Sequence, residues 1–186
     1  MRRFFGDVCA AFPDSRFLHY NIGRAGRVLT GEDYAALLKE IPNLVATKNT
    51  SGDFARTSDI VSRAPELQHF LGERNFPLGC QVGECSLLAS YAWLKPARMF
   101  DLFDAGRAGR TGDALRLALA VDRMAADVFG WLKRDPRVDG AYDKLVIALG
   151  GLAEMPLRLL SPYEGFTQDE LERCREILTA RHADWT

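Results

Sequence analysis

Residues Leu44 to Asp53 read LVATKNTSGD, an apolar and β-branched run that ends on a cation, Lys48, and passes into Asn, Thr, Ser and Gly. Upstream, Arg16 to Asn21 read RFLHYN, a second strand-like run that ends on Tyr20 and Asn21. A lysine at a strand end ordinarily marks the point where the chain reaches water. Here the spacing adds something, because Tyr20 and Lys48 lie one βα repeat apart and would meet at the same end of adjacent parallel strands. An amine held among apolar neighbours loses hydration, which disfavours its charged form and leaves a nucleophile near neutral pH. Such an amine attacks ketones. The imine that results is an electron sink for a carbanion on the neighbouring carbon, and a nearby phenol can carry the protons that each step requires. This is the chemistry of a class I aldolase, with Lys48 as the imine lysine and Tyr20 as the proton relay.

Several elements must hold that pair. RFLHY predicts a first strand, and Thr30 predicts the N-cap of a helix with Glu32 and Asp33 in its first turn and Tyr34, Leu37 and Leu38 on one face. Pro42 and Asn43 end that helix and lead into LVATK, the second strand. A helix after Gly52 runs through Ile60 and Val61 and stops near Pro65; LQHFLG predicts a third short strand closed by Gly72. A weaker helix over Pro77 to Val82 precedes CSLLAS, the fourth strand. Alternation of strand and helix with short connections predicts parallel βα units. Beyond Pro96 the pattern is helical throughout, over PARMFDLFDAG, TGDALRLALAVDRMAADVFGWLKR, AYDKLVIALGGLA and TQDELERCREILTARHA, the last capped by Thr167. The expected organisation is a βα half over residues 1–95 and a helical carboxy-terminal extension over residues 96–186.

Composition excludes several classes of function. With 24 basic and 25 acidic residues the formal charge is −1, so no basic field is available for nucleic acid. The four cysteines and three histidines show no CxxC or HxxxH spacing, so neither a metal nor another cofactor is expected, and reduced thiols are. Asp7 interrupts the apolar stretch behind the basic start, and no run reaches the length of a membrane span, which predicts a cytoplasmic protein without a membrane partner. GRAGR occurs twice, at Gly23 to Arg27 and at Gly106 to Arg110. Neither copy has the GxxxxGK[ST] or GxGxxG pattern of a phosphate loop. The second is a turn between helices; the first follows a strand, where βα loops carry function.

HYNIGRAGRVLT, IPNLVATKNTSGD and LGERNFPLG together resemble the dihydrodipicolinate synthase and N-acetylneuraminate lyase family of Schiff-base aldolases over nearly the whole chain. The resemblance implies an α/β chain formed as a partial (β/α)8 TIM barrel, its last four βα units, followed by a helical bundle. It implies an imine between Lys48 and pyruvate or a related 2-oxo acid, with Tyr20 relaying protons. Gly72 and Leu88 correspond to positions lining the keto-acid pocket, and Asn21 stands in the Tyr-Asn pair of the substrate loop. Arg24 corresponds to the arginine of the family's YNxPxRTG loop, which binds a substrate carboxylate; here the proline is absent, Ala25 replaces threonine, and Arg27 lies close by. Arg24 therefore reads either as that ligand or as a solvated loop cation. The reaction expected is synthesis of the 4-hydroxy-tetrahydrodipicolinate type or cleavage of a 2-keto-3-deoxy sugar acid, with a 2-oxo acid and an aldehyde as small-molecule partners.

A complete barrel takes eight βα units over about 250 residues, and this sequence supplies four. By the resemblance, Met1 falls within the helix before the fifth strand, and the glycine-rich and Thr-Thr loop that holds the keto-acid carboxylate in the family is absent. The sequence therefore reads as a truncated or split gene product with two open sheet edges. Its expected partners are further copies of itself or a complementing amino-terminal half barrel. An inactive family member or a half-barrel association module is the alternative function, and a helical interaction module after Pro96 a third.

Overall fold

The computed structural model describes residues 1–134 and 137–186. Two compact units are present, one formed by Met1–Ala89 with Leu102–Leu115, the other by Ser90–Asp101 with Arg116–Thr186.

In the first unit, α1 (Arg2–Ala11) precedes β1 (Phe17–Asn21), α2 (Gly31–Leu38), β2 (Leu44–Asn49), α3 (Phe54–Arg63), β3 (Gln68–Leu71), α4 (Phe76–Gly79) and β4 (Cys85–Leu87). The strands form one parallel sheet in sequence order. Thr30 caps α2 as its sequence predicts: its hydroxyl accepts from Asp33 N at 3.2 Å while the Asp33 carboxylate accepts from Thr30 N at 3.0 Å. This reciprocal box satisfies two donors that would otherwise be orphaned at the helix start. Asp53 caps α3 in one direction only, its side chain accepting from Arg56 N.

The core behind the sheet joins Phe5 and Cys9 of α1, Tyr34 and Leu37 of α2, Leu44 of β2 and Ile60 of α3. A Leu or Ile side chain fully buried in this way stabilises the unit by roughly 1.5–3 kcal/mol.

Two elements are shorter than the sequence predicts. The helix expected over Pro77 to Val82 is the single turn α4, because the chain tightens at its end: Val82 N and Gly83 N both return to the Gly79 carbonyl. The fourth strand covers three residues rather than CSLLAS; it is an edge strand with one neighbour, and Ser90–Trp93 already form a 3-10 turn.

In the second unit and its flanks, the helical segments predicted from sequence are present as α5 (Pro96–Arg107), α6 (Thr111–Phe129), α7 (Asp139–Leu149) and α8 (Gln168–Arg181). The expected run through Arg134 changes at Gly130 from α to 3-10, as a residue with a helix penalty of about 1 kcal/mol favours. Thr167 and Glu170 form the capping box of α8. Tyr91 stacks on Phe129 and Tyr142 meets Phe166 edge-on, and Gly150 lies so close to the Trp93 carbonyl that no side chain would fit. No helix among the described residues is long and apolar enough to cross a membrane.

Candidate active site

Strand alternation decides which side chains meet. Because side chains on a strand point alternately to the two faces, the register pairs Tyr20 with Lys48, Lys48 with Phe70, and Phe70 with Ser86 put these four in one row on one face. This face is partly open, with Leu18 45 % and Tyr20 37 % exposed. The intervening residues Asn21, Thr47, Asn49 and His69 point the other way and are buried.

Within the row, the Lys48 amine lies 4.0 Å from the centroid of the Tyr20 ring. The ammonium form would gain a cation–π contact of about 0.5–1 kcal/mol there. Among the described residues the amine makes neither a hydrogen bond nor an ion pair, so no carboxylate neutralises it and no donor occupies the lone pair of its neutral form. The other lysines differ. Lys39 ends α2, Lys95 donates to the Thr186 carbonyl, Lys144 donates to the Arg158 carbonyl at 2.7 Å, and Lys133 falls in a 3-10 segment. Lys48 is thus the lysine on a strand. The Tyr20 hydroxyl lies 3.4 Å from the hydroxyl of Thr50, the second residue beyond Lys48.

The remaining residues expected from sequence separate into two groups. Gly72 and Leu88 lie at the carboxyl ends of β3 and β4: Gly72 N reaches Asn49 O at 3.4 Å, Leu88 N reaches Leu71 O at 2.9 Å, and a side chain added at Gly72 would meet nothing within 4 Å. Gly72 therefore faces open space at that strand end. Asn21 is buried on the opposite face, where its amide donates to Leu29 O and Asn49 Oδ1, both at 3.0 Å, and its carbonyl accepts from Leu29 N at 2.8 Å. Its side chain closes the base of the loop after β1 rather than reaching the Lys48 face.

Arg24 stands in the exposed 3-10 turn Gly23–Ala25 of that loop, which Gly26 leaves with a left-handed φ of 85°. Arg27 is tied to Asp33 at 2.8 Å. Of the two loop cations considered from sequence, Arg27 thus serves the start of α2.

Residues that the sequence reading did not select also belong here. Phe70 and Ser86 extend the row beside Lys48. Apart from that row, a cavity of ≈ 170 Å³ between the loop after β1 and the start of α3 is lined by Asn21 and Asn49 of the opposite face together with Gly23, Thr57 and Ile60. The signal for Phe70 was its place opposite Lys48 in the next strand, which becomes readable only once the register is known. Asn75 holds the loops after β2 and β3 together by donating to the Ser51 carbonyl and to Thr57 Oγ1.

Set against known proteins, residues 1–181 match the model of the dihydrodipicolinate synthetase family. A 4-hydroxy-tetrahydrodipicolinate synthase of Nitratidesulfovibrio vulgaris is 29% identical over 88% of this chain and 54% of its own length. One of Methanoculleus marisnigri is 29% identical over 86% of this chain and 53% of its own. The chain thus spans about half the length of the curated relatives it matches. Among solved structures, the prophage protein YagE of E. coli K12, a dihydrodipicolinic acid synthase family member determined with pyruvate, superposes with a TM-score of 0.77 at 15% identity over 96% of this chain and 60% of that one. A Sulfolobus 2-keto-3-deoxygluconate aldolase gives 0.76 at 16% identity, over 98% and 59%. These likenesses establish the fold of a partial βα barrel.

Proposed function

The chain belongs to the dihydrodipicolinate synthetase family, and from that premise we propose that it is a carbon–carbon lyase or synthase that forms an imine between Lys48 and pyruvate or a related 2-oxo acid. The observation that carries this reading is the Lys48 amine 4.0 Å over the Tyr20 ring, on registered residues near the carboxyl ends of adjacent parallel strands, which is where βα barrels conduct their chemistry.

The amine adds to the ketone carbon and water leaves, giving the imine. Loss of a proton from the neighbouring carbon gives an enamine, which bonds to an aldehyde carbon; the reverse course cleaves that bond, and water then hydrolyses the imine and frees Lys48. Tyr20, with its hydroxyl toward Thr50, is the group beside the amine that can give and take the protons. Gly72 and Leu88 border the oxo acid, and Arg24 meets the polar end of the second reactant. Synthesis of the 4-hydroxy-tetrahydrodipicolinate type and cleavage of 2-keto-3-deoxy sugar acids share these steps.

The test is pyruvate consumption with a panel of short aldehydes by the native chain and by Lys48→Arg, which keeps the charge and forms no productive imine. Consumption that Lys48→Arg abolishes supports the reading; consumption that survives it refutes it. A second reading, an inactive family member or half-barrel association module, is favoured by the two sheet edges at β1 and β4. It predicts no consumption by the chain alone.

A further inference from the structure

Behind the Tyr20–Lys48–Phe70 row, on the buried face of the sheet, lies a continuous run of polar side chains that the imine chemistry does not use. The Asn21 amide donates to Asn49 Oδ1 at 3.0 Å, the Asn49 amide donates to Thr47 Oγ1 at 2.9 Å, Thr47 Oγ1 lies 2.8 Å from His69 Nδ1, and His69 Nε2 lies 2.9 Å from the Ala64 carbonyl. All four residues are buried, with Asn21 4 % exposed and Thr47 and His69 at 0 %.

The direction of this chain follows from its ends. A carbonyl only accepts, so His69 carries its proton on Nε2, and Nδ1 must then accept from the Thr47 hydroxyl. That hydroxyl in turn accepts from Asn49, and Asn49 accepts from Asn21, whose own carbonyl accepts from Leu29 N. Every donor finds an acceptor in one sense, from Leu29 to Ala64. Burial also lowers the His69 pKa, which keeps the ring in the neutral form that the chain requires.

We propose that Asn21, Asn49, Thr47 and His69 are positioning residues that fix the register of β1, β2 and β3 and thereby hold the Lys48 amine over Tyr20. Both cross-strand hydrogen bonds join registered partners, Asn21 with Asn49 and Thr47 with His69. Apolar strand residues are nearly interchangeable, so a two-residue slip between buried parallel strands would cost little packing. The same slip would leave buried donors unpaired, at about 1–3 kcal/mol each. Thr47 and Asn49 flank Lys48, Asn21 follows Tyr20, and His69 precedes Phe70, so each link of the chain lies beside a member of the row it aligns.

The inference rests on the imine reading for its use but not for its measurement. Lysine carrying a ¹³C label reports the ε-methylene protons of Lys48, which the Tyr20 ring shifts upfield; Tyr20→Leu defines the full size of that shift. Thr47→Val, which keeps the shape and removes the hydroxyl, should lose more than half of it, whereas Thr47→Ser, which keeps the hydroxyl, should retain it. His69→Phe is the second variant and should act as Thr47→Val does. In the native chain, ¹⁵N shifts should show His69 as the Nε2–H tautomer. Trapping with pyruvate and borohydride should slow about tenfold in Thr47→Val and recover in Thr47→Ser, as loss of alignment predicts. A folded Thr47→Val that keeps the whole upfield shift, or an Nδ1–H tautomer of His69 in the native chain, overturns the proposal. The predicted shifts without any adduct, either in the native chain or with a complementing half barrel, uphold the positioning chain and count against the imine reading instead.

Discussion

Lys48 is the side chain on which the functional account turns, and its setting separates two roles that a strand-terminal lysine can have. A solvated lysine would extend into water; this one lies against an aromatic face, without an ion-pair partner among the described residues. Tyr20 should therefore act on the proton steps more than on imine formation. Tyr20→Phe is expected to lower turnover by a factor on the order of a hundred or more, while borohydride trapping of the imine falls much less; unchanged turnover would make Tyr20 a packing residue. Gly72 offers a second check. No atom lies within 4 Å of the place a side chain would occupy, so Gly72→Ala should leave stability within about 0.5 kcal/mol and raise the KM for the oxo acid. An unchanged KM would remove Gly72 from the pocket. That Tyr20 and Lys48 would be neighbours on adjacent parallel strands was legible in the sequence, because they lie one βα repeat apart. Thr47, Asn49 and His69 were not, since an isolated polar residue in a strand reads as facing water. Only the register shows that each meets a partner on the next strand.

The helices and strands were legible where local chemistry sets them. Thr30 with Asp33 and Thr167 with Glu170 mark helix starts through side-chain bonds to their own backbone, and the structure forms both boxes. Boundaries set by tertiary contact were less legible, as the one-turn α4 and the three-residue β4 show. The second GRAGR copy has such a contact: a methyl group at Gly106 would stand 2.5 Å from the ring of buried Phe76. Gly106→Ala should therefore destabilise the chain by about 1–3 kcal/mol, read as a lower midpoint in urea, although alanine is the better helix former. A gain in stability would refute that contact.

Two histidines, the buried His69 and the half-buried His19, add a pH dependence to the same elements. His19, bonded to the Tyr34 hydroxyl at 2.7 Å, and His69 both have pKa values lowered by burial. The unfolded chain then takes up protons first on acidification, so the stability is present above about pH 6.5 and is lost as the pH falls from there toward the lowered folded values. Asp33, whose carboxyl the Thr30 backbone bond holds low, acts only below about pH 4 and lies outside that window. The urea midpoint should fall between pH 7.5 and 5.5, and fall less in His69→Gln; a midpoint that rises on acidification would contradict the neutral histidine rings.

Taken as one body of four parallel strands, the sheet poses a problem that its parts do not. Parallel sheets are normally covered on both faces, yet the Lys48 face leaves Leu18 and Tyr20 substantially exposed, and β1 and β4 each have one unpaired edge. The relatives are nearly twice as long as the part this chain matches. By the family resemblance, the donors that hold the oxo-acid carboxylate lie in the part of the barrel not matched by this chain. The chain alone should therefore be a weak aldolase that self-associates, and it should gain turnover when the amino-terminal half of a family barrel is added in trans. A titration that follows pyruvate-dependent turnover together with molecular mass checks this. Full turnover by a monodisperse monomer would show that the carboxylate needs no donors beyond this chain.

Reductive trapping probes the imine most directly. The chain, alone and with a complementing half barrel, is incubated with pyruvate and borohydride, digested, and its peptides mapped by mass. One carboxyethyl group is expected on the peptide that carries Lys48, and none in Lys48→Ala. An adduct on Lys39, Lys95, Lys133 or Lys144, an adduct that persists in Lys48→Ala, or no adduct in either assembly would contradict an imine at Lys48.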